Sequence, residues 1–270
     1  MSKKLLRLFL IIILLLLVAS FITRYILSNP IVILEAAGRG DKKTVLVLLA
    51  LNPNLINAKG DPPSSRTVPL RLSKSSLLHY SVLSGSEGLV EALISRGAYV
   101  DVRNADDHTP LHYAANGINE NIVRCLIRHG ADVKAVENHG QTPLHKAICP
   151  GSNDIIEFII SKGADVNARD KTNATPLHCA ARGAGHKETI ELLISHGAEI
   201  NVKTNSGETP LHYAVREGGY GGGYKKVELL VSKGAEINAK NSDGESPLDI
   251  AITNGYTEIA DFLRRHGAKD

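Results

Sequence analysis

The sequence predicts an all-α solenoid of stacked helix–turn–helix units preceded by one apolar leader helix, and three observations carry that reading. Thr109-Pro110-Leu111-His112 recurs as Thr142-Pro143-Leu144-His145, Thr175-Pro176-Leu177-His178 and Thr209-Pro210-Leu211-His212, at steps of 33 or 34 residues. A Gly-Ala pair starts at Gly97, Gly130, Gly163, Gly197, Gly234 and Gly267. A nearly unbroken apolar run, Leu8 to Leu27, follows a basic start. Repeats of this length cannot bury their own apolar faces and must stack.

The leader comes first. Lys3, Lys4 and Arg7 precede the run, whose 20 residues from Leu8 to Leu27 would span roughly 30 Å as a helix, the thickness of a hydrocarbon core. Arg24 lies near the far end, where its stem can reach the interface. Residues 1–28 are therefore expected to be a transmembrane anchor, with residues 5–27 in the bilayer. A cleavable signal peptide ending at Val18-Ala19-Ser20 is the rival, and a buried soluble helix a third alternative. The segment stays apolar past that cleavage site, which favours the anchor. Basic residues before the run keep the N-terminus cytoplasmic. The expectation is a single-pass membrane protein with extracytoplasmic repeats, or a secreted or periplasmic protein after cleavage.

The repeat units follow. Thr109 is a good N-cap, and Pro110 then stands where a missing N–H costs nothing. Leu111, Ala114 and Ala115 give the first helix a thin apolar face for close packing. Ile122, Val123, Leu126 and Ile127 are spaced as the core stripe of a second helix. Gly130 ends it in a left-handed turn. Ser76-Leu77-Leu78-His79 is a weaker copy of the motif, and Ser246-Pro247-Leu248-Asp249 closes the series.

The predicted organisation is a capping unit over 31–57, a long connecting loop over 58–75, five repeats over 76–245 and a C-terminal cap over 246–270. From each Gly-Ala glycine to the next motif His, or to Asp249, is always 15 residues. From that position to the following glycine is 18 residues in four units, but 19 after His178 and 22 after His212. Insertions therefore fall between the two helices, at Gly183–His186 and Gly218–Gly223, while the turn between units keeps a fixed register.

The Thr-Pro-Leu-His-x-Ala pattern at this period resembles the ankyrin repeat, and the resemblance covers residues 31–270. It implies a solenoid that binds a protein partner through its concave side, made of turn tips and the exposed face of each first helix. At the tips these positions are Asp106, His108, His139, Gln141, Lys171, Ser206 and Glu208. On the helix face they are Tyr113, Asn116, Lys146, Arg182, Tyr213, Arg216 and Glu217. The resemblance also implies that the motif histidines bond the adjoining backbone and tie turn to helix.

Charge and composition narrow the classes. Lys3, Lys4, Arg7 and Arg24 are four of the 31 basic residues, which leaves 27 against all 28 acids beyond the leader, a charge of −1. Such a body has no general attraction for nucleic acid. Cys125, Cys149 and Cys179 show no CxxC spacing and are expected to be small buried hydrophobes. Motif histidines one repeat apart are too distant to share a metal. Neither a nucleophile elbow, HExxH nor P-loop occurs, and Gly218 to Gly223 lacks a Lys-Ser/Thr ending. No catalytic residue, cofactor or metal is expected, and a monomer is. The function expected is a membrane-held protein–protein interaction module. Its alternatives are a specific inhibitor or assembly helper of an exported enzyme and, remotely, an unrecognised enzyme.

Overall fold

The computed structural model describes Ser20 and residues 29–60, 74–117, 119–149, 152–182, 187–218 and 222–269. The leader expected over residues 1–28 lies outside these residues apart from Ser20. Among the described residues no helix is long and apolar enough to cross a membrane.

The chain forms two compact units, Met1–Ala105 and Asp106–Asp270. The first holds two helical pairs, α1 (Pro30–Gly38) with α2 (Lys42–Leu51) and α3 (Leu77–Leu83) with α4 (Glu87–Ile94). Ile33, Leu34, Ala36 and Ala37 of α1 are fully buried, and α1 packs on both α2 and α3. A single 3-10 turn, Pro53–Asn57, follows α2. The predicted loop differs at both ends. Lys59–Gly60 (β1) and Ser75–Ser76 (β2) pair as short antiparallel strands. Gly60 permits this because a Cβ there would meet the Leu34 side chain at 2.8 Å. Residues 61–73 of that loop lie outside the described residues.

The second unit stacks five helical pairs: α5 (Pro110–Asn116) with α6 (Glu120–Arg128), α7 (Pro143–Ile148) with α8 (Asn153–Ser161), α9 (Pro176–Arg182) with α10 (Lys187–Ser195), α11 (Pro210–Arg216) with α12 (Gly223–Ser232), and α13 (Pro247–Thr253) with α14 (Thr257–Arg265). Each first helix starts one residue after its Thr or Ser and packs on the next first helix. The helices are short, six to ten residues, too short to be stable alone. Burial holds them instead: Leu111, Leu144, Leu177, Leu211 and Leu248 are fully buried. The six Gly-Ala glycines all have φ between +89° and +98°, the left-handed stop expected of them. In the last helix Thr257, Glu258, Asp261, Arg264 and Arg265 are exposed, so the end of the stack is polar.

The cysteine expectation holds only for Cys125. Cys179 is half-buried and Cys149 is exposed, because Cys149 caps the end of α7 rather than lying on its packed side.

Candidate protein-binding face

The motif histidines build the frame of the face. The backbone N–H of Thr109 donates to His112 Nδ1 at 3.1 Å, so the ring proton sits on Nε2 and is donated to the Gln141 carbonyl at 3.1 Å. His145, His178 and His212 repeat the arrangement with the carbonyls of Ala174, Glu208 and Glu245 at 3.2–3.3 Å. Each acceptor immediately precedes the next Thr or Ser, so the histidine ties its helix to the following unit, not only to its own turn. Burial holds all four imidazoles below their usual pKa, and His112 down to about 4.

The turn tips are linked in a ladder of single backbone bonds. Asn138 N–H donates to the Asp106 carbonyl, Lys171 to His139, Asn205 to Thr172 and Ser242 to Ser206, at 2.8–3.1 Å. Adding or removing one residue in any turn would break the step, which accounts for the constant 15-residue spacing.

Several of the expected contact positions touch one another or their neighbours in the turns. The His108 ring lies 5.2 Å from that of Tyr113, and its Nε2 is 3.7 Å from Glu137. Lys146 donates to the Gln141 side-chain oxygen at 2.7 Å. Ser206 reaches Glu208 at 3.4 Å, and Glu208 pairs with Arg216 at 2.8 Å. Tyr213 packs edge-on against His178 at 5.3 Å, and burial raises its phenol pKa. Asn116, Lys171 and Arg182 are exposed, and His139 turns its imidazole toward Glu137 at 3.0 Å. Glu217 departs from the group. It caps the end of α11, and its charge acts on the buried Lys226 of α12.

Family models match this architecture along most of its length. Residues 78–170 and 168–241 match ankyrin repeats in three copies, and residues 219–264 match ankyrin repeats in many copies. The chain belongs to the ankyrin-repeat family. No curated protein matches it. Ankyrin repeats indicate a module for protein–protein interaction, and ankyrin-repeat proteins are typically non-enzymatic scaffolds.

Two sets of residues in this ankyrin stack escaped the sequence reading. Eight residues before each motif position stand Asn104, Glu137, Asp170, Thr204 and Asn241. In the last four, the side chain accepts from the backbone of its own turn. Glu137 Oε1 takes the N–H groups of His139 and Gln141 at 3.1 and 3.0 Å, and Asp170 Oδ1 those of Thr172 and Ala174 at 2.8 and 3.0 Å. Thr204 and Asn241 accept from Glu208 and Glu245. Burial pushes the Glu137 carboxyl up, but hydrogen bonds from His139 and Gln141 outweigh it and leave it below its ordinary value.

The second set is Asn57, Asn167, Asn201 and Asn238. Each side-chain amide donates to a Gly-Ala glycine carbonyl one unit on and accepts the N–H two residues beyond. The signal for both sets is positional. It emerges when the units are aligned on the motif position, which Asn167, Asn201 and Asn238 each precede by 11 residues, whereas Asn57 stands 22 residues before His79 and is not found that way.

Proposed function

We propose that this ankyrin-repeat protein is a membrane-tethered module, its repeats extracytoplasmic, that binds a protein partner on the face running from Asp106 to Arg216. The binding half of this reading rests on one observation. Tyr113, Lys146, Cys179 and Tyr213 take the same place on four consecutive first helices and stay partly exposed, while the positions around them are buried. Tyr and Arg are favoured contact residues at interfaces, and Arg182 and Arg216 stand one turn further on.

The tether is supported by the basic start and 20-residue apolar run, and by their closeness to the first helix. Only Ser28 and Asn29 separate Leu27 from α1. The first unit also exposes Ile31, Val47 and Leu51, at 45–60% of their full surface. Exposed aliphatic residues of this size suit contact with lipid or with an anchor helix. Residues 5–27 carry the proposed membrane attachment.

Two measurements test the reading. Full-length protein should stay in the membrane pellet after carbonate washing; release as a shortened soluble form removes the tether. Cross-linking in intact cells should capture a partner, and Tyr113→Ala with Tyr213→Ala should weaken that capture while the protein stays folded. Unchanged capture by the folded double variant places the binding surface elsewhere.

A further inference from the structure

Four carboxylates on the binding face of the second unit already hold partners. Glu137 is buried beneath the backbone N–H groups of its turn and the His139 ring. Asp170 accepts from Thr172 and Ala174 through one oxygen and from Gln141 through the other. Glu208 and Glu245 both pair with Arg216.

The cations of the middle two units are not so matched. Lys171 and Arg182 are exposed, and neither they nor the half-buried Lys146 is ion-paired among the described residues. The outer edge of the turns contrasts with this, because Arg169 there is paired with Glu199 at 3.7 Å. Between Lys146 on α7 and Arg182 on α9 the floor is Cys179, a small side chain. Burial pushes its thiol pKa up to about 12, so the thiol itself is uncharged, and the carboxylate that acts on it is that of Asp170, already held by Thr172, Ala174 and Gln141. Tyr113 on α5 and Tyr213 on α11 bound the strip on either side.

We propose that this strip takes an extended acidic segment of the protein partner, with its carboxylates against Lys146, Lys171 and Arg182 and its ends between Tyr113 and Tyr213. This rests on the reading of the face as a protein-binding surface and adds the chemistry of what it binds. A carboxylate against Lys171 and Arg182 gains charge-assisted bonds without breaking an ion pair, Lys146 can keep its bond to Gln141 while donating another proton, and a flanking phenol supplies apolar contact with one polar end. An acidic partner would also be drawn in electrostatically, so association would slow as salt rises.

The test uses full-length protein in nonionic detergent and a fluorescein-labelled eight-residue peptide of alternating Glu and Leu, read by anisotropy. The same peptide with Lys for Glu, a single-stranded oligonucleotide and anionic phosphatidylglycerol vesicles are the comparison probes. The Glu peptide should bind at least tenfold more tightly than the Lys peptide. Lys146→Glu with Arg182→Glu should reverse that order, and Lys146→Gln with Arg182→Gln, which adds no repulsion, should weaken Glu-peptide binding at least threefold. Equal binding of both peptides, no binding of the Glu peptide, or no loss in the Gln variant overturns the proposal. Tighter binding of oligonucleotide or vesicles overturns it in favour of another polyanion or a lipid surface. Cross-linking separates this failure from that of the face itself. Capture lost in the Tyr113 and Tyr213 variant but kept on charge reversal leaves the face standing and removes the acidic segment.

Discussion

His145 donates its Nε2 proton to the carbonyl of Ala174, 29 residues further along the chain, at 3.3 Å. Its other nitrogen accepts from Thr142 at 3.2 Å, so one neutral ring closes its own helix and fastens the next unit. Replacing His145 with Ala leaves both groups unsatisfied in a site where the ring is almost wholly buried. The expected loss is about 1–3 kcal/mol, measured as a lower urea midpoint. An unchanged midpoint would show that water replaces the ring at no cost.

The same rings set a direction for pH. His112, His145, His178 and His212 have folded pKa values below the usual 6.5, that of His112 at about 4. Between the two values the unfolded chain binds more protons, so stability rises with pH in that window. Their contribution is complete above pH 6.5 and is lost as pH falls toward 4. His112 alone can account for roughly 3 kcal/mol at most across that range. Glu137, also lowered, acts in the same direction further into acid. Denaturation curves at pH 7.5 and 4.5 should differ by several kcal/mol, and equal midpoints would contradict the buried neutral imidazoles.

The two kinds of loop should respond differently to shortening. A Cβ on Gly223 would fall against the Gly218 Cα and the Glu217 carbonyl, so the insert leaves and returns at one place. Deleting residues 219–222 joins two glycines already in contact and should change stability by less than about 1 kcal/mol. Deleting residues 205–208 removes the tip bonds to Thr172 and Ser242 and the His178 acceptor at Glu208. That variant should lose at least about 3 kcal/mol. Similar losses from both deletions would contradict the reading of the spacing.

Much of this was legible because the motif residues act where they stand. Thr, Pro, Leu and His each have one geometric job at the start of the first helix, and the left-handed stop admits glycine best, so identity marks position. The turn acceptors were hidden for the opposite reason. Glu137, Asp170, Thr204 and Asn241 are different residue types doing one job, since any short oxygen acceptor can take the N–H groups of the turn. Lys226 was hidden because a lysine in a second helix reads as surface, whereas this one is buried, with Nζ 3.4 Å from the Ala181 carbonyl at the end of α9.

Lys226 offers a test of that burial. Desolvation lowers its pKa below the usual 10.5, with the Glu217 charge opposing. Its charge is therefore a burden at neutral pH, and stability should rise as pH climbs through the lowered value toward 10.5. Lys226→Met keeps the length of the side chain without the charge. It should leave the urea midpoint unchanged or raise it by up to about 1 kcal/mol, as replacement of a buried ion by an apolar side chain often does. A loss above about 2 kcal/mol would mean that the polar interactions of the ammonium, the bond to Ala181 among them, outweigh desolvation.

Glu137 carries the last prediction, because its neighbours in the series supply the controls. Its Oε1 satisfies the N–H groups of His139 and Gln141, while Oε2 meets the His139 ring at 3.0 Å. Glu137→Ala removes the acceptor for two backbone donors and should cost about 2–4 kcal/mol, as a buried turn left unsatisfied. Asp170 does the same work in the next unit with a side chain one methylene shorter. Glu137→Asp should therefore restore the turn and recover most of that loss, giving up only the contacts of Oε2 with His139 and His108. Glu137→Gln keeps one acceptor oxygen but no charge, and it should fall between the two because its bonds are no longer charge-assisted. The order Glu, Asp, Gln, Ala in urea midpoint is the expected result. If Asp proves no better than Ala, the buried carboxylate is holding the two histidines rather than the turn.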